Sequence, residues 1–307
     1  MENTLAKILN SLPLSTILKA LQEFAPSTNT LLKEATQFLH IAEEDEVKTW
    51  LVNTLVQNAS DYSTSFYLKL TVGQGGMDAQ DWTQILHDIY INFFAKYAVA
   101  YETEDISYAA EGLSSALLFI KAPELAPAFT SEEGIHRLER ISPFKSKKSI
   151  QTSEASVSII PFTPNPPIQI KNSDIRIIPI KSGGPGGQHA NKNLTGVRLV
   201  YSPKNLVLRI SKYRSFTQNK QLALNLLKSI LYKQYQQQKQ QALTQSNISE
   251  KMRIVRTYDF TRDTIKSHIY PLKVSKVKNI LKGNLEIFVL YNLLYDLYKG
   301  RQRNQNI

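Results

Sequence analysis

Lys181-Ser182-Gly183-Gly184-Pro185-Gly186-Gly187-Gln188-His189-Ala190-Asn191-Lys192 sets four glycines around one proline and ends the run on an amide side chain. Such a backbone can take positive φ and come close to another molecule. Three readings are open on these residues alone. One is a phosphate nest, although no Gly-Lys-Ser or Gly-Lys-Thr follows, as a P-loop requires. The second is a turn with no chemical role. The third is a loop tip that presents Gln188 to a reactive carbonyl. Ester hydrolysis needs a placed water and donors for the charge that develops on oxygen. Gln188 cannot act as a general base, because its amide does not titrate. It can hold a water with its side chain and offer its backbone N–H, which Gly186 and Gly187 leave free to point outward. A loop of this kind is half a catalyst and needs a second macromolecule to complete the site.

No Ser-His-Asp, Cys-His or metal-ligand constellation stands elsewhere in the chain, so a free-standing hydrolase is disfavoured, and neither a metal nor a small cofactor is expected. The absence of cysteine excludes disulfides and thiolate metal sites. With 307 residues there is room for two or three domains. No apolar run reaches the roughly 18 residues of a membrane span, and the start, carrying Glu2 and no Arg, reads as an ordinary helix. The net charge of +11 is unevenly placed. Acids dominate up to about residue 135, with Glu43, Glu44, Asp45 and Glu46 in one cluster. Between Lys181 and Arg256 the only acid is Glu250. A one-sign block in a patterned segment suits a phosphate-rich partner, with a plain solvated surface as the alternative.

The elements that must position the loop follow from periodicity. Residues 1–62 read as short helices. Phe66 to Val72 is a strand-like run that ends in the turn Gly73-Gln74-Gly75-Gly76. Trp82, Ile85, Leu86, Ile89, Tyr90, Phe93, Phe94 and Tyr97 then make one broad helical stripe, expected to pack on a sheet. Strands are expected at 116–120 and 155–160, and PFTPNPP at 161–167 marks a boundary. A smaller unit begins with the run from Asp174 to Ile180, which enters the glycine loop. It returns through 197–200 and 206–210 and continues as a long helix over 215–241.

The motif Gly184-Pro185-Gly186-Gly187-Gln188-His189-Ala190-Asn191 resembles the peptidyl-tRNA hydrolysis motif of class-I peptide chain release factors, and three further blocks agree in order. Gly73 to Trp82 resembles the family's glycine turn and helix, its Gln80-Asp81-Trp82 ending being typical of the bacterial type that reads UGA and UAA. Glu133 to Arg140 followed by Ser142-Pro143-Phe144 is similar to that type's codon-reading segment. Val255-Arg256-Thr257-Tyr258 resembles the start of the C-terminal piece. The resemblance covers roughly residues 64 to 295.

That resemblance implies an α+β multidomain chain: a shortened N-terminal helical domain (1–62), a mixed α/β codon-recognition domain (63–168), a smaller α/β domain bearing the GGQ loop (169–247), and a C-terminal segment (248–307) packing with the codon-recognition domain. It implies codon contacts from Ser142 to the second base, with Pro143 and Phe144 shaping the loop, from Gln151 and Thr152, the latter at the third base, and from Gly75 and Asp78 at the first uridine. His136 is expected to be structural. The implied partners are both ribosomal subunits, the mRNA stop codon, P-site peptidyl-tRNA and a methyltransferase that converts Gln188 to N5-methylglutamine. No membrane is involved, and the protein is expected to be a monomer. The implied function is a translation factor rather than an enzyme in its own right, acting in the cytoplasm, or in a mitochondrion or plastid. Family members open on the ribosome so that the codon reader and the glycine loop reach its two centres. Departures from the pattern are Gln151 for a customary His, Asp78 for Glu, Gly183 for Ser, and no tryptophan in 249–254. Gln151 and the missing tryptophan motivate a second reading, a divergent paralogue that rescues stalled ribosomes or acts on damaged ones. A third reading, RNA binding without chemistry, rests on the basic block alone.

Overall fold

Phe66–Val72 forms β1, and its apolar residues on both faces fit a strand covered on two sides. This computed structural model describes residues 3–24, 30–59, 64–146, 149–162, 170–181, 194–244 and 253–305. The strands β2 (Tyr101–Ala109), β3 (Gly112–Ile120), β4 (Gly134–Ile141), β5 (Ile150–Pro161), β9 (Ile254–Asp259), β10 (Thr264–Ser267) and β11 (Lys273–Ser275) join β1 in an eight-stranded sheet ordered β11-β10-β9-β4-β5-β1-β3-β2. Every pairing is antiparallel except β4 with β9, which brings a C-terminal strand in parallel beside the 134–141 segment. The long helix α5 (Met77–Lys96) crosses one face of β1, β3 and β5. Trp82, Leu86, Ile89, Tyr90, Phe93 and Phe94 are all buried, so the stripe packs on a sheet as its period predicts. Burial of each such side chain contributes about 1.5–3 kcal/mol.

Among the described residues four helices precede the sheet, α1 (Thr4–Asn10), α2 (Leu14–Phe24), α3 (Thr30–Phe38) and α4 (Glu44–Ala59), and a short helix, α6 (Ala126–Thr130), follows β3. Asn3 caps α1 by accepting the Leu5 N–H at 2.9 Å, and Glu44, Asp45 and Glu46 sit in the first turn of α4, where the helix dipole favours them. This layer rests on the last helix of the chain, with Phe24 edge-on to Tyr270 and Tyr291.

A second sheet holds β6 (Ile175–Ile180), β7 (Gly196–Tyr201) and β8 (Leu206–Ile210) in the order β6-β7-β8, backed by a long helix, α7 (Phe216–Thr244). Val197, Leu199, Leu208 and Ile210 pack against Ala223, Leu226, Leu227 and Leu231. The same cluster takes in Tyr67, Leu117 and Ile160 from the large sheet's face opposite α5. The small unit is thus docked on the large sheet, and a polar seam runs beside the apolar contact. In β2 the register slips between Thr103 and Asp105, leaving Glu104 as an extra residue, and a bulge of this kind re-aims the side chains next to it. Lys212 pairs with Glu102 and Glu104, Ser211 donates to Asp105 at 2.6 Å, and Lys233 pairs with Glu133. Hydrogen bonds from Lys121 and Lys212 hold the Glu102 carboxyl down to about 2, whereas burial pushes Asp105 up.

On the α5 side of the large sheet a charged cluster is buried without access to water. Arg256 on β9 pairs with Glu132, which also accepts from Tyr90 at 2.7 Å and from Asn292 at 2.5 Å. Asn292 lies on α9 (Glu286–Gln305), which follows the short helix α8 (Val277–Leu281) and carries Phe288, whose ring lies 3.7 Å beneath the guanidinium. His136, expected to be structural, is fully buried here, 3.0 Å from the Glu132 carbonyl. Burial, joined by the repulsion of Arg256, takes its imidazole down to about 4, so it stays neutral.

Candidate nucleic-acid interface

The residues expected to read a codon come together at one end of the large sheet, around the loop between β4 and β5. The turn at 73–76 is fastened to β5 by two backbone bonds, Gly73 N–H to the Glu154 carbonyl and Glu154 N–H to the Gln74 carbonyl, both 2.8 Å. A side chain has no room at Gly73 or Gly75. A Cβ on Gly73 would sit 2.6 Å from the Glu154 oxygen, and Gly75 has φ of +129° with Ser153 Cα 3.1 Å from its would-be Cβ. These glycines let α5 begin directly against the hairpin.

In the first turn of α5, Asp78 reaches the loop. Its Oδ2 accepts from Ser142 Oγ at 2.6 Å and its Oδ1 from Arg140 Nη2 at 3.3 Å, while Arg140 also donates to Asp81 at 2.5 Å. The Phe144 N–H donates to Ser142 Oγ at 3.2 Å. Asp78 and Ser142 are each only 4% exposed. Two side chains expected to meet different bases are therefore bonded to each other. The proton of Ser142 is committed to a carboxylate, so its oxygen serves as an acceptor, with the Phe144 N–H on one lone pair. Pro143 is exposed and Phe144 half-buried.

Gln151 and Thr152 stand on opposite faces, as neighbours in a strand must. Gln151 lies opposite Arg140 on the α5 side, donating to Ser149 Oγ at 2.8 Å and to the Ile150 carbonyl at 3.0 Å and accepting from Lys145. Thr152 is exposed on the other face, opposite Glu139. The hairpin thus separates the group around Ser142 and Asp78 from Thr152. Sequence reasoning missed Arg140, which holds Asp78 and Asp81 together. An arginine one register step from a motif gives no signal until the register itself is known. Gly186, Gly187 and Gln188 lie outside the described residues. Among the described residues no group of acidic and histidine side chains could hold a metal ion, and no helix is long and apolar enough to cross a membrane.

The described residues form an α+β chain with a glycine-fastened hairpin at one end of its large sheet and a smaller three-stranded unit docked on that sheet. Comparison with known proteins gives that architecture a family. The family model for the PCRF domain matches residues 5–157, and that for the RF-1 domain matches residues 164–269. Peptide chain release factor 2 of Thermosipho melanesiensis is 31% identical over 260 residues, spanning 82% of this chain and 70% of that protein. Peptide chain release factor 2 of Kosmotoga olearia is 31% identical over 290 residues, spanning 89% and 74%. Among solved structures, RF2 of Thermus thermophilus superposes with a TM-score of 0.73 at 26% identity, covering 96% of this chain and 84% of that one. The chain belongs to the class-I peptide chain release factors.

Proposed function

We propose that this protein recognises UGA and UAA in the ribosomal decoding site and triggers hydrolysis of peptidyl-tRNA. The observation that carries the reading is the convergence of Gly75, Asp78, Ser142 and Phe144 at one hairpin end, in a chain whose relatives are release factors. Ser142, held as an acceptor, takes a donor from the Watson–Crick edge of either purine: the adenine amino group, or guanine N1–H and N2–H. One oxygen thereby serves both A and G at the second position. Thr152, on the far face of the hairpin, meets the third base apart from the first two. Asp78 and Gly75 border the first uridine, with the backbone N–H groups at the start of α5 available to its carbonyl.

In this reading the domains are 1–62, 63–168, 169–247 and 248–307. The last completes the codon-recognition sheet, a division supported by the parallel pairing of β9 with β4. Gly186, Gly187 and Gln188 form the hydrolytic tip, and Gln188 is the methyltransferase target. The factor is a monomer of the cytoplasm that meets both ribosomal subunits. Reaching from codon to ester requires the small unit to leave the large sheet, so the Lys212 and Lys233 ion pairs are the contacts that yield. Rescue of stalled ribosomes draws on Gln151 and the missing tryptophan and is not favoured, since the relatives are release factors.

Ser142→Ala removes the acceptor without enlarging the side chain. The factor concentration for half-maximal release on UGA and UAA ribosomes is expected to rise roughly tenfold or more, by the worth of one base contact. The release rate at saturation should stay near that of the parent. An unchanged concentration dependence would show that Ser142 reads nothing.

A further inference from the structure

The small sheet has one covered face and one open face. Val197, Leu199, Leu208 and Ile210 turn toward α7, so their neighbours along the strands turn away from it. On the open face Arg198 lies directly across from Arg209, and Ile178 completes the rung. In the next rung Arg176, Val200 and Val207 stand side by side. All three arginines are exposed, as is Val207. Directly opposed residues in an antiparallel pair hold their Cβ atoms about 5 Å apart, and like charges placed so are destabilising. Among the described residues no carboxylate forms an ion pair or hydrogen bond with Arg176, Arg198 or Arg209. Asp105, whose carboxyl feels the charge of Arg209, is buried on β2 and already accepts from Ser211. The fold therefore keeps a repulsive arginine pair on an open surface and supplies no acid to relieve it.

We propose that this open face docks on the phosphate backbone of large-subunit ribosomal RNA and holds the small unit in place once it has left the large sheet. The inference rests on the ribosome-directed function proposed above. A guanidinium presents a planar fork of donors that matches phosphate oxygens and sheds its water more readily than an ammonium. A phosphodiester seated between Arg198 and Arg209 turns their mutual repulsion into two attractions, so the cost carried by the free protein is recovered on binding. Ile178, Val200 and Val207 leave the space between the cations without a competing acceptor. Contacts of this kind fix position and register and read no base. The arginine rung stands two residues back from the pair Ile180 and Gly196 at the glycine-loop end, about 7 Å along the strand. Ribosomal RNA is the phosphate surface common to every ribosome the factor meets, whichever tRNA stands in the P site. The apolar contact with Tyr67, Leu117 and Ile160 belongs to the cluster on the α7 side, so the arginine face is open before and after the small unit moves.

The test is binding of the full-length factor to purified ribosomes carrying UGA or UGG in the decoding site, with the P site filled or empty, over a range of salt concentrations. Arg198→Gln combined with Arg209→Gln is expected to weaken binding roughly tenfold or more. It should also flatten the plot of log affinity against log salt by about one to two, the share of one or two lost phosphate contacts. The loss should be the same on both codons and the same with or without tRNA in the P site. The double variant should melt no lower than the parent, because the substitutions relieve a repulsion; this separates lost contact from lost fold. Hydroxyl-radical cleavage should show ribosomal RNA riboses that the parent protects and the double variant reopens. An unchanged salt slope overturns the proposal. So does a loss confined to ribosomes with a filled P site, which assigns the face to tRNA, or a loss with all RNA protections intact, which assigns it to a ribosomal protein. A parent that binds UGA and UGG ribosomes alike would sink the codon reading and leave the arginine face to be decided by its own slope.

Discussion

Replacing Gln188 with proline is expected to slow peptide release at saturating factor by about a hundredfold or more, the cost of one lost oxyanion donor of roughly 3 kcal/mol. Gln188→Ala removes only the side chain and keeps the backbone N–H, so it should cost less. The comparison separates two jobs that a single substitution would merge: placing water through the amide, and stabilising the tetrahedral oxygen through the main chain. Preceding glycine tolerates the restriction that proline imposes on its neighbour better than any other residue. Binding to UGA ribosomes should survive in both variants, because the residues proposed to read the codon lie at one end of the large sheet, apart from Gln188 in the chain. Measuring ribosome affinity beside the release rate checks this. Equal rates for parent and proline variant would remove Gln188 from the chemistry.

Arg256→Ala is expected to destabilise the protein by about 3–5 kcal/mol, because it leaves the Glu132 carboxylate buried without its cation. Against a typical total of about 5–15 kcal/mol, that is a large share. Burial raises the Glu132 carboxyl, but attraction to its charged neighbours, Arg256 first, together with hydrogen bonds from Tyr90 and Asn292, holds it below its usual range. Removing both charges together, as Arg256→Met with Glu132→Gln, should recover part of the loss, since the desolvation of an uncompensated ion disappears. The urea midpoint, read with its m-value, measures each variant. A loss for Arg256→Ala below about 1 kcal/mol, in the range of an exposed pair, would contradict the buried geometry. The cluster matters for reading because it ties β4, which carries the hairpin, to β9 and α9.

Local patterns made much of the scaffold legible. The apolar runs from Phe66 to Val72 and from Leu206 to Ile210 became β1 and β8, and the apolar face of 215–241 became α7. Those signals lie within one element and obey its period. What stayed hidden depends on contacts between distant segments. Tyr101–Ala109 is rich in acids and has little strand signal, yet forms an edge strand whose bulge serves Lys212 and Ser211. Glu132 and Arg256 look like surface charges in the sequence and are joined only by folding. The Asp78 to Ser142 bond spans 64 positions, and the pairing of Glu139 with Thr152 requires the hairpin register. The motifs named the residues proposed to read the codon. Their partners, which decide whether each acts as donor or acceptor, needed three dimensions.

The most direct test is peptide release from purified ribosomes carrying UGA, UAA, UAG or the sense codon UGG in the decoding site, with an empty decoding site as a fifth arm. Fast release on UGA and UAA is expected, with the other three slower by a factor on the order of a hundred, the discrimination that one or two base contacts supply. Comparable release on all five would contradict codon reading by the hairpin and return the chain to the rescue alternative.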